Sequence, residues 1–280
     1  MNYFNKNSIA LLAILFISTS LSLGQSAKPV VGIGKIDYAG GRGGNITSFY
    51  TELEGNLLGT KKFEIIERGR LGDILKERGL SAAGIVDGNS SMGGIGGVDY
   101  LIYGTIISID LERGSGDSEY YSAKGTMSVK VVDVNTGRIV MNSKIQDDVY
   151  EKGSDSATSE LRRVLCKKIA KDLAFQIFPI KIAQVQGDKV YINYGEYAMN
   201  KKGAYEVVEL GGGFMDPDTG ELLGAEETLI GAIEIVSVHS SYTIGKIKYR
   251  RGEIKVGDKL KGLSTSKLRA GRRNHKRKEV

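Results

Sequence analysis

The chain has 280 residues, one cysteine and a formal net charge of +6, from 39 basic and 33 acidic side chains. A single cysteine excludes an intrachain disulfide, and this length can bury the cores of two domains of ordinary size. The positive charge lies at the end of the chain: residues 267–280 carry a net +6, whereas residues 28–266 have 31 basic and 32 acidic side chains. The composition of the main part therefore does not favour nucleic-acid binding.

The first 27 residues have the pattern of a secretory signal peptide. They carry one charge, at Lys6, followed by an apolar run over residues 9–17 and a stretch of small and polar residues. That run is shorter than the ~20 residues of a spanning helix, so we expect cleavage after Ala27, or after Gly24, rather than a retained anchor. No cysteine lies near the cleavage site, and the sequence thus predicts a chain released without a lipid into the periplasm or outside the cell.

Residues 28–178 alternate between strand and helix patterns, which predicts an α/β domain with a mixed sheet flanked by helices. The run of β-branched and apolar residues at 100–107 is nearly continuous, as in strands buried on both faces. The predicted elements in chain order are a strand at 30–36, a helix at 45–60, a strand at 63–66, a helix through Leu71 and Ile74 that stops at Gly79, the strand at 100–107, a hairpin over 122–149 with its turn at 135–137, and a helix from Ser154 to Pro179.

Beyond Pro179 the pattern changes to short strands separated by glycine and aspartate turns, with no helical period. We predict turns at Gly211–Gly213 and at residues 216–220. This pattern is typical of a small all-β domain, either a small barrel or a strongly bent sheet, over residues 179–263.

Residues 264–280 form a basic tail without apolar periodicity, which predicts a disordered, solvated segment. The functional alternative is electrostatic contact with an anionic surface, such as lipid headgroups or an envelope polymer. The side chains that would make this contact are Lys267, Arg269, Arg272, Arg273, Lys276, Arg277 and Lys278.

No pattern predicts catalytic, cofactor-binding or metal-binding residues. Gly32 and Gly34 follow a strand, but no third fingerprint glycine and no Walker lysine accompany them. The two histidines are far apart, no zinc-ligand spacing is present, and Asp216 with Asp218 is more typical of a turn than of a calcium loop. Cys166 lies on an apolar helix face and is predicted to be a small core residue. A hydrolase that uses His239 stays open, since catalytic groups can assemble from distant residues.

Four segments resemble, in the same order, elements of the curli production assembly/transport component (CsgG) family. They are FEIIERGRLGDILKERGL at 63–80, VDYLIYGTIISID at 98–110, VVDVNTGRI at 131–139 and VLCKKIAKDLAFQI at 164–177. The resemblance implies an envelope protein of a diderm bacterium, either an oligomeric outer-membrane pore or a periplasmic accessory factor that acts by binding. A shorter resemblance, carried by VYIN at 190–193, DPDTG at 216–220 and Gly257 with Asp258, is to the C-terminal domain of the flagellar assembly protein FlgT.

The resemblance implies that a pore-forming member would carry two long membrane hairpins, and this sequence lacks room for them. Their places hold ERGSGDSEYYSA at 112–123 and EKGSDSATSE at 151–160, which are short and polar, whereas each hairpin needs two strands of about 9–11 residues. We therefore expect a non-enzymatic periplasmic accessory factor without cofactors, peripheral at most to the outer membrane. Its expected partners are envelope proteins or further copies of itself, and the alternative is a pore subunit of a curli-like secretion channel.

Overall fold

The structure, a computed structural model, describes residues 27–39, 46–77, 97–116, 118–220 and 222–263. Within these ranges the chain forms a five-stranded mixed sheet, a six-stranded antiparallel sheet and three helices. In the same ranges no helix has both the length and the apolar character needed to cross a bilayer. The elements in chain order are β1 (Val30–Tyr38), α1 (Ile46–Gly59), β2 (Glu64–Ile65), α2 (Arg68–Glu77), β3 (Tyr100–Arg113), β4 (Tyr120–Asp133), β5 (Ile139–Lys152), α3 (Ser154–Ile177), β6 (Ile182–Gln186), β7 (Lys189–Ile192), β8 (Ala204–Met215), β9 (Leu222–Val238), β10 (Thr243–Arg250) and β11 (Lys259–Leu263).

The first sheet has the strand order β2-β1-β3-β4-β5 and confirms the predicted mixed α/β fold. Strand β1 pairs in parallel with β2 and β3, and the remaining pairs are antiparallel. Helices α1 and α3 cover one face, where Leu53 and Leu161 are fully buried. Helix α2 covers part of the other face, where Leu71 packs with Leu101 and Val132. Because each helix buries one apolar stripe, the sheet has a core on both sides.

Strand β3 is longer than the predicted strand at 100–107. It continues to Arg113 because β4 continues beside it, with Arg113 opposite Tyr121. The predicted hairpin between β4 and β5 is confirmed: the Asp133 carboxylate accepts hydrogen bonds from the backbone N–H groups of Asn135 and Thr136, at 2.9 and 3.0 Å. Gly137 follows with φ +70°, a conformation that glycine adopts without a Cβ penalty.

The connections that follow β3 and β5 are both short. Strand β3 ends at Arg113 and β4 begins at Tyr120, while only Gly153 separates β5 from α3. The Gly153 N–H donates a 2.8 Å hydrogen bond to the carbonyl oxygen of Glu119, so these two connections lie next to each other at one end of the sheet.

The second sheet has the order β11-β8-β9-β10-β7-β6 and confirms an all-β C-terminal part. Its two outer strands meet: the Ile182 N–H donates to the Asp258 carbonyl at 2.9 Å, and the Leu260 N–H donates to the Ile180 carbonyl at 2.8 Å. The sheet therefore closes on itself. The predicted turn at Gly211–Gly213 is wrong, because these glycines lie inside β8, paired with β9 up to Met215 opposite Leu222.

One continuous apolar core joins the two sheets. Phe63 and Phe178 lie with their ring centroids 5.9 Å apart, and Tyr194, from the connection after β7, is buried against the last turn of α3. The Tyr194 hydroxyl donates to the carbonyl oxygen of Phe178 at 2.6 Å. The division of the chain between residues 178 and 179 stays a prediction.

Candidate binding surfaces

The residues proposed from the sequence for an anionic contact lie outside the described part of the chain. All seven, from Lys267 to Lys278, belong to the tail at 264–280, and the predicted signal peptide is likewise outside it apart from Ala27. The described residues present three other candidates for function: an arm formed by β8 and β9, a cleft between the two sheets, and a serine–histidine pair.

The arm is the outer part of the β8–β9 hairpin. Strand β11 accompanies β8 only from Ala204 to Val208, and β10 accompanies β9 only from Gly231 to Val238. Within the described ranges, residues 209–215 and 222–228 therefore pair only with each other. At about 3.4 Å per residue, these seven-residue segments extend roughly 24 Å beyond the closed sheet. We call residues 209–228 the arm.

The arm exposes large apolar side chains on a two-stranded ribbon. Phe214 is 55% exposed and Leu222 is 65% exposed, and neither side chain belongs to an apolar core. Such ribbons are marginally stable alone, and contiguous exposed apolar groups mark interaction surfaces. The apolar members of the arm with large exposure are Leu210, Phe214, Met215, Leu222 and Leu223.

The glycines of β8 shape this surface. A Cβ added to Gly213 would lie 2.5 Å from Cδ1 of Leu222, so the leucine side chain lies directly across the bare backbone of the opposite strand. Gly224 is opposite Phe214 and has φ +157°. The ribbon is therefore thin at these two positions, where a large apolar side chain of one strand lies against a glycine of the other.

Every charged residue of the arm is acidic. Residues 209–228 contain six Asp or Glu and no Lys, Arg or His. In the turn, the Asp216 carboxylate accepts hydrogen bonds from the N–H groups of Thr219 and Asp218, which lower the pKa of Asp216. Hydrogen bonds from Lys261 and Lys259 of β11 lower the pKa of Glu227, although its burial acts in the opposite direction. The ionised form of both carboxylates is thus favoured.

A cleft of about 450 Å³ lies where the first sheet, the end of α3 and the start of the second sheet meet. Both signs of charge line it. The lining residues are Ala27, Lys28, Pro29, Lys61, Lys62, Asp99, Tyr100, Asp133, Asn135, Ile177 and Phe178.

Four of the five charged side chains of the cleft, all but Lys28, make hydrogen bonds within the described residues. The Lys62 ammonium group lies 4.3 Å from the centroid of the Tyr194 ring and donates a 2.9 Å hydrogen bond to the Asn193 carbonyl. Burial, and secondarily the charge of Lys28, lower the pKa of Lys62. Asp99 accepts a 2.8 Å hydrogen bond from the Val30 N–H. These contacts hold neighbouring segments of the fold together, so we interpret the cleft as a junction between structural elements.

The serine–histidine pair lies at the end of β9. The Ser237 hydroxyl and Nε2 of His239 are 3.1 Å apart, and the imidazole stacks on Tyr242 with a centroid distance of 4.5 Å. A nucleophile and a base within hydrogen-bond reach are two parts of a catalytic triad. Within the described ranges no carboxylate is hydrogen-bonded to the His239 ring, and the imidazole is exposed.

Among the described residues, no group of three or more His, Cys, Asp or Glu side chains is placed to hold a metal ion. Cys166 is fully buried in α3, which confirms its prediction as a core residue. Its Sγ lies 3.8 Å from the Phe49 carbonyl oxygen.

Sequence reasoning missed the arm. The sequence predicts a turn at Gly211–Gly213 because glycine clusters usually interrupt strands. The signal that could have identified it is the absence of basic residues over 209–228 together with the paired apolar residues on both sides of the DPDTG turn.

Comparison with known proteins gives one family. The model described as curli production assembly/transport component CsgG matches residues 48–164, from α1 into α3, and confirms the resemblance seen in the sequence. No curated protein matches the chain. The resemblance of the C-terminal part to FlgT stays a prediction.

Solved structures that align with this chain cover about half of it. They include the hypothetical protein CT253 from Chlamydia trachomatis, at 13% identity over 54% of this chain and 99% of that chain, with a TM-score of 0.38. The lipoprotein GNA1162 from Neisseria meningitidis is 13% identical over 52% and 98%, with a TM-score of 0.34. A PelC dodecamer from Paraburkholderia phytofirmans is 12% identical over 49% and 86%, with a TM-score of 0.32. Similarities of this strength carry no functional argument.

Proposed function

We propose that this chain, which carries a CsgG domain over residues 48–164, is a non-enzymatic accessory factor of the cell envelope that acts by binding another envelope protein. The observation that carries the proposal is the arm, which presents exposed apolar side chains on a thin ribbon beyond the folded body. The predicted signal peptide supports a periplasmic location for this function.

The arm suits a protein partner better than insertion into a bilayer. Its outermost residues are the turn at 216–220, where Asp216 and Asp218 carry charge. Moving a carboxylate into the hydrocarbon region is costly, so the tip cannot enter a bilayer readily. A protein groove can instead enclose the flanks of the ribbon and leave the turn in water.

The apolar groups on the flanks are large enough to matter for binding. Fully burying a leucine or phenylalanine is worth about 1.5–3 kcal/mol, so a side chain that is already half buried gains roughly half of that in a complex. A few such groups at the centre of an interface commonly supply most of its binding energy. We therefore expect Phe214 and Leu222 to be the main anchors.

The test uses a photo-crosslinking amino acid at Leu223, in the arm, and at Val256, outside it. Both side chains are well exposed, at 57% and 63%. We expect a specific covalent adduct with an envelope protein from position 223 in host cells, and none from position 256. The adduct should disappear when Phe214→Ser and Leu222→Ser are added, while an added Val236→Ser should leave it intact. Equal adduct yields from both positions would contradict the proposal, and so would an adduct yield that the arm substitutions leave unchanged.

The enzymatic alternative has its own test, since the side chains of Ser237 and His239 lie within hydrogen-bond distance of each other. We expect the purified protein to release no product from a broad panel of ester, amide and glycoside substrates. Turnover that is lost in His239→Ala and in Ser237→Ala would overturn the non-enzymatic proposal.

A further inference from the structure

We propose that the basic tail at 264–280 binds the acidic arm of the same molecule and covers it. The regulatory meaning of this contact rests on the proposed function, because an envelope partner would have to displace the tail to reach the apolar flanks of the arm. The contact itself involves only this chain.

Opposite charges are concentrated in these two segments. The arm carries six acidic and no basic residues over 20 positions, and residues 264–280 carry seven basic residues and one acidic residue. The remaining residues from 28 to 263 outside the arm have 31 basic and 26 acidic side chains. The arm is therefore the most acidic segment of the chain and the electrostatic complement of the tail.

Part of the arm's charge has no partner within the described structure. Glu209 and Glu227 form exposed ion pairs with Lys255 and with Lys259 and Lys261. In the same described ranges, Asp218 and Glu226 have no ion-pair partner. These two carboxylates are available to the guanidinium and ammonium groups of the tail, which pair readily with carboxylates.

The tail begins close enough to reach the whole arm. Strand β11 ends at Leu263, which lies opposite Ala204 at the base of β8. From Ala204 to Met215 the strand covers about 37 Å at 3.4 Å per residue. The 17 tail residues span at most ~60 Å when fully extended, so they can reverse direction and still pass the end of β8.

Attachment to the same chain favours contact within one molecule. A short connection gives the tail an effective concentration near the arm in the millimolar range, well above the concentration of a second copy in dilute solution. Exposed ion pairs are individually weak and are screened by salt. The contact should therefore be reversible, salt-sensitive and open to displacement by a partner.

The first experiment locates the contact in the purified full chain. A carbodiimide that joins lysine to carboxylate without a spacer is applied to an equal mixture of ¹⁵N-labelled and unlabelled protein at low salt, and the products are mapped by mass spectrometry. We expect Lys267, Lys276 and Lys278 to be joined to arm carboxylates in peptides of uniform isotope content. Tail cross-links spread over all acidic surfaces would overturn the proposal, and so would mixed-isotope cross-links, which mean contact between copies.

The second experiment measures protection of the tail without cross-linking. The rate at which trypsin removes the tail is compared for the unaltered protein, the arm variant Asp218→Asn/Glu226→Gln, and the matched control Asp110→Asn/Glu112→Gln on β3. We expect the arm variant to be cleaved at least about twofold faster at low salt, because two ion pairs are lost. The control should match the unaltered protein, and the difference should vanish at ~1 M salt, where the Debye length is about 3 Å.

Equal cleavage rates in all three proteins at low salt would overturn the tail–arm contact. Neither experiment includes a partner, so this failure is distinct from loss of the partner adduct at position 223. If the tail is unprotected and binds anionic lipid vesicles equally in both variants, its role is the contact with an anionic surface predicted from the sequence.

Discussion

The hydroxyl of Tyr197 donates a 2.8 Å hydrogen bond to the side-chain oxygen of Asn56, and so joins the connection after β7 to helix α1. The same ring lies over Gly59, where an added Cβ would be 2.8 Å from a ring carbon. Asn56 in turn donates to the carbonyl oxygen of Glu52 at 2.7 Å. Tyr197 is thus held against the last turns of α1 both by packing and by a hydrogen bond.

Tyr197→Phe should lower the free energy of unfolding by about 1 kcal/mol, because it leaves Asn56 without its donor while keeping the ring in place. Tyr191→Phe is the matched control, since the Tyr191 hydroxyl bonds to Gln186 at the surface. We expect the control to change stability by less than ~0.5 kcal/mol. Urea unfolding followed by circular dichroism measures both, and equal effects would mean that the Tyr197 hydrogen bond contributes nothing beyond a surface contact.

Two glycine substitutions should have opposite effects on stability. A Cβ on Gly125 would lie 3.0 Å from Leu161 and 3.1 Å from Leu165, so Gly125→Val should force α3 away from β4 and destabilise the protein by about 1–3 kcal/mol. Gly55 lies inside α1, and apart from its chain neighbours and the backbone of that helix no atom lies within 4 Å of its added Cβ, so Gly55→Ala should stabilise by about 0.5–1 kcal/mol. Thermal unfolding of both variants checks the signs, and a destabilising Gly55→Ala would contradict the packing described for α1.

The Cys166 thiol should be unreactive in the folded protein. Burial raises its pKa from 9.0 to about 12, so the thiolate form is suppressed. Ellman's reagent at pH 8 should modify less than a few per cent of the protein in an hour without denaturant and all of it in 6 M guanidinium, as expected for a thiol that reacts only when exposed. Rapid modification of the native protein would show that α3 opens locally.

Because its pKa is raised, the Cys166 thiol should also make the folded protein less stable at high pH. The folded protein keeps the thiol proton that the unfolded chain loses above pH 9.0, so this contribution is fully present below pH 9 and decreases as the pH rises towards about 12. Comparing Cys166→Ala with the unaltered protein by urea unfolding at pH 8 and pH 10 isolates the effect. The stability gap between the two proteins should narrow at pH 10, and a constant gap would contradict it.

Fractionation in a diderm host should recover the protein in the periplasm, with a new N-terminus at Lys28 or at Gln25. A high-salt wash should release any membrane-associated fraction, because basic contacts with anionic lipids are screened. Retention through an alkaline wash would instead mean that the chain is inserted in the membrane, and the pore subunit of a secretion channel would then become the leading function.

Much of the first sheet and its helices could be predicted from local pattern. The apolar positions of α3 recur at helical spacing, and Leu161, Leu165 and Ile169 are all fully buried. The turn after Asp133 is encoded by residues next to one another, since Asp133 bonds to the N–H groups of Asn135 and Thr136. Such interactions act within a few residues, so periodicity and turn chemistry are enough to reveal them.

Local sequence patterns were enough to predict the order of strands and helices, the fold class, the buried state of Cys166 and the family resemblance. That Gly211–Gly213 continue a strand depends on strand pairing, because the pairing of Gly213 with Ala225 overrides the usual tendency of glycine clusters to break strands. Long-range pairing likewise extends β8 and β9 past their neighbours as an arm, and the packing of distant segments brings Tyr197 to Asn56 across 141 positions. These features depend on register and on contacts between distant segments, which local propensity does not encode.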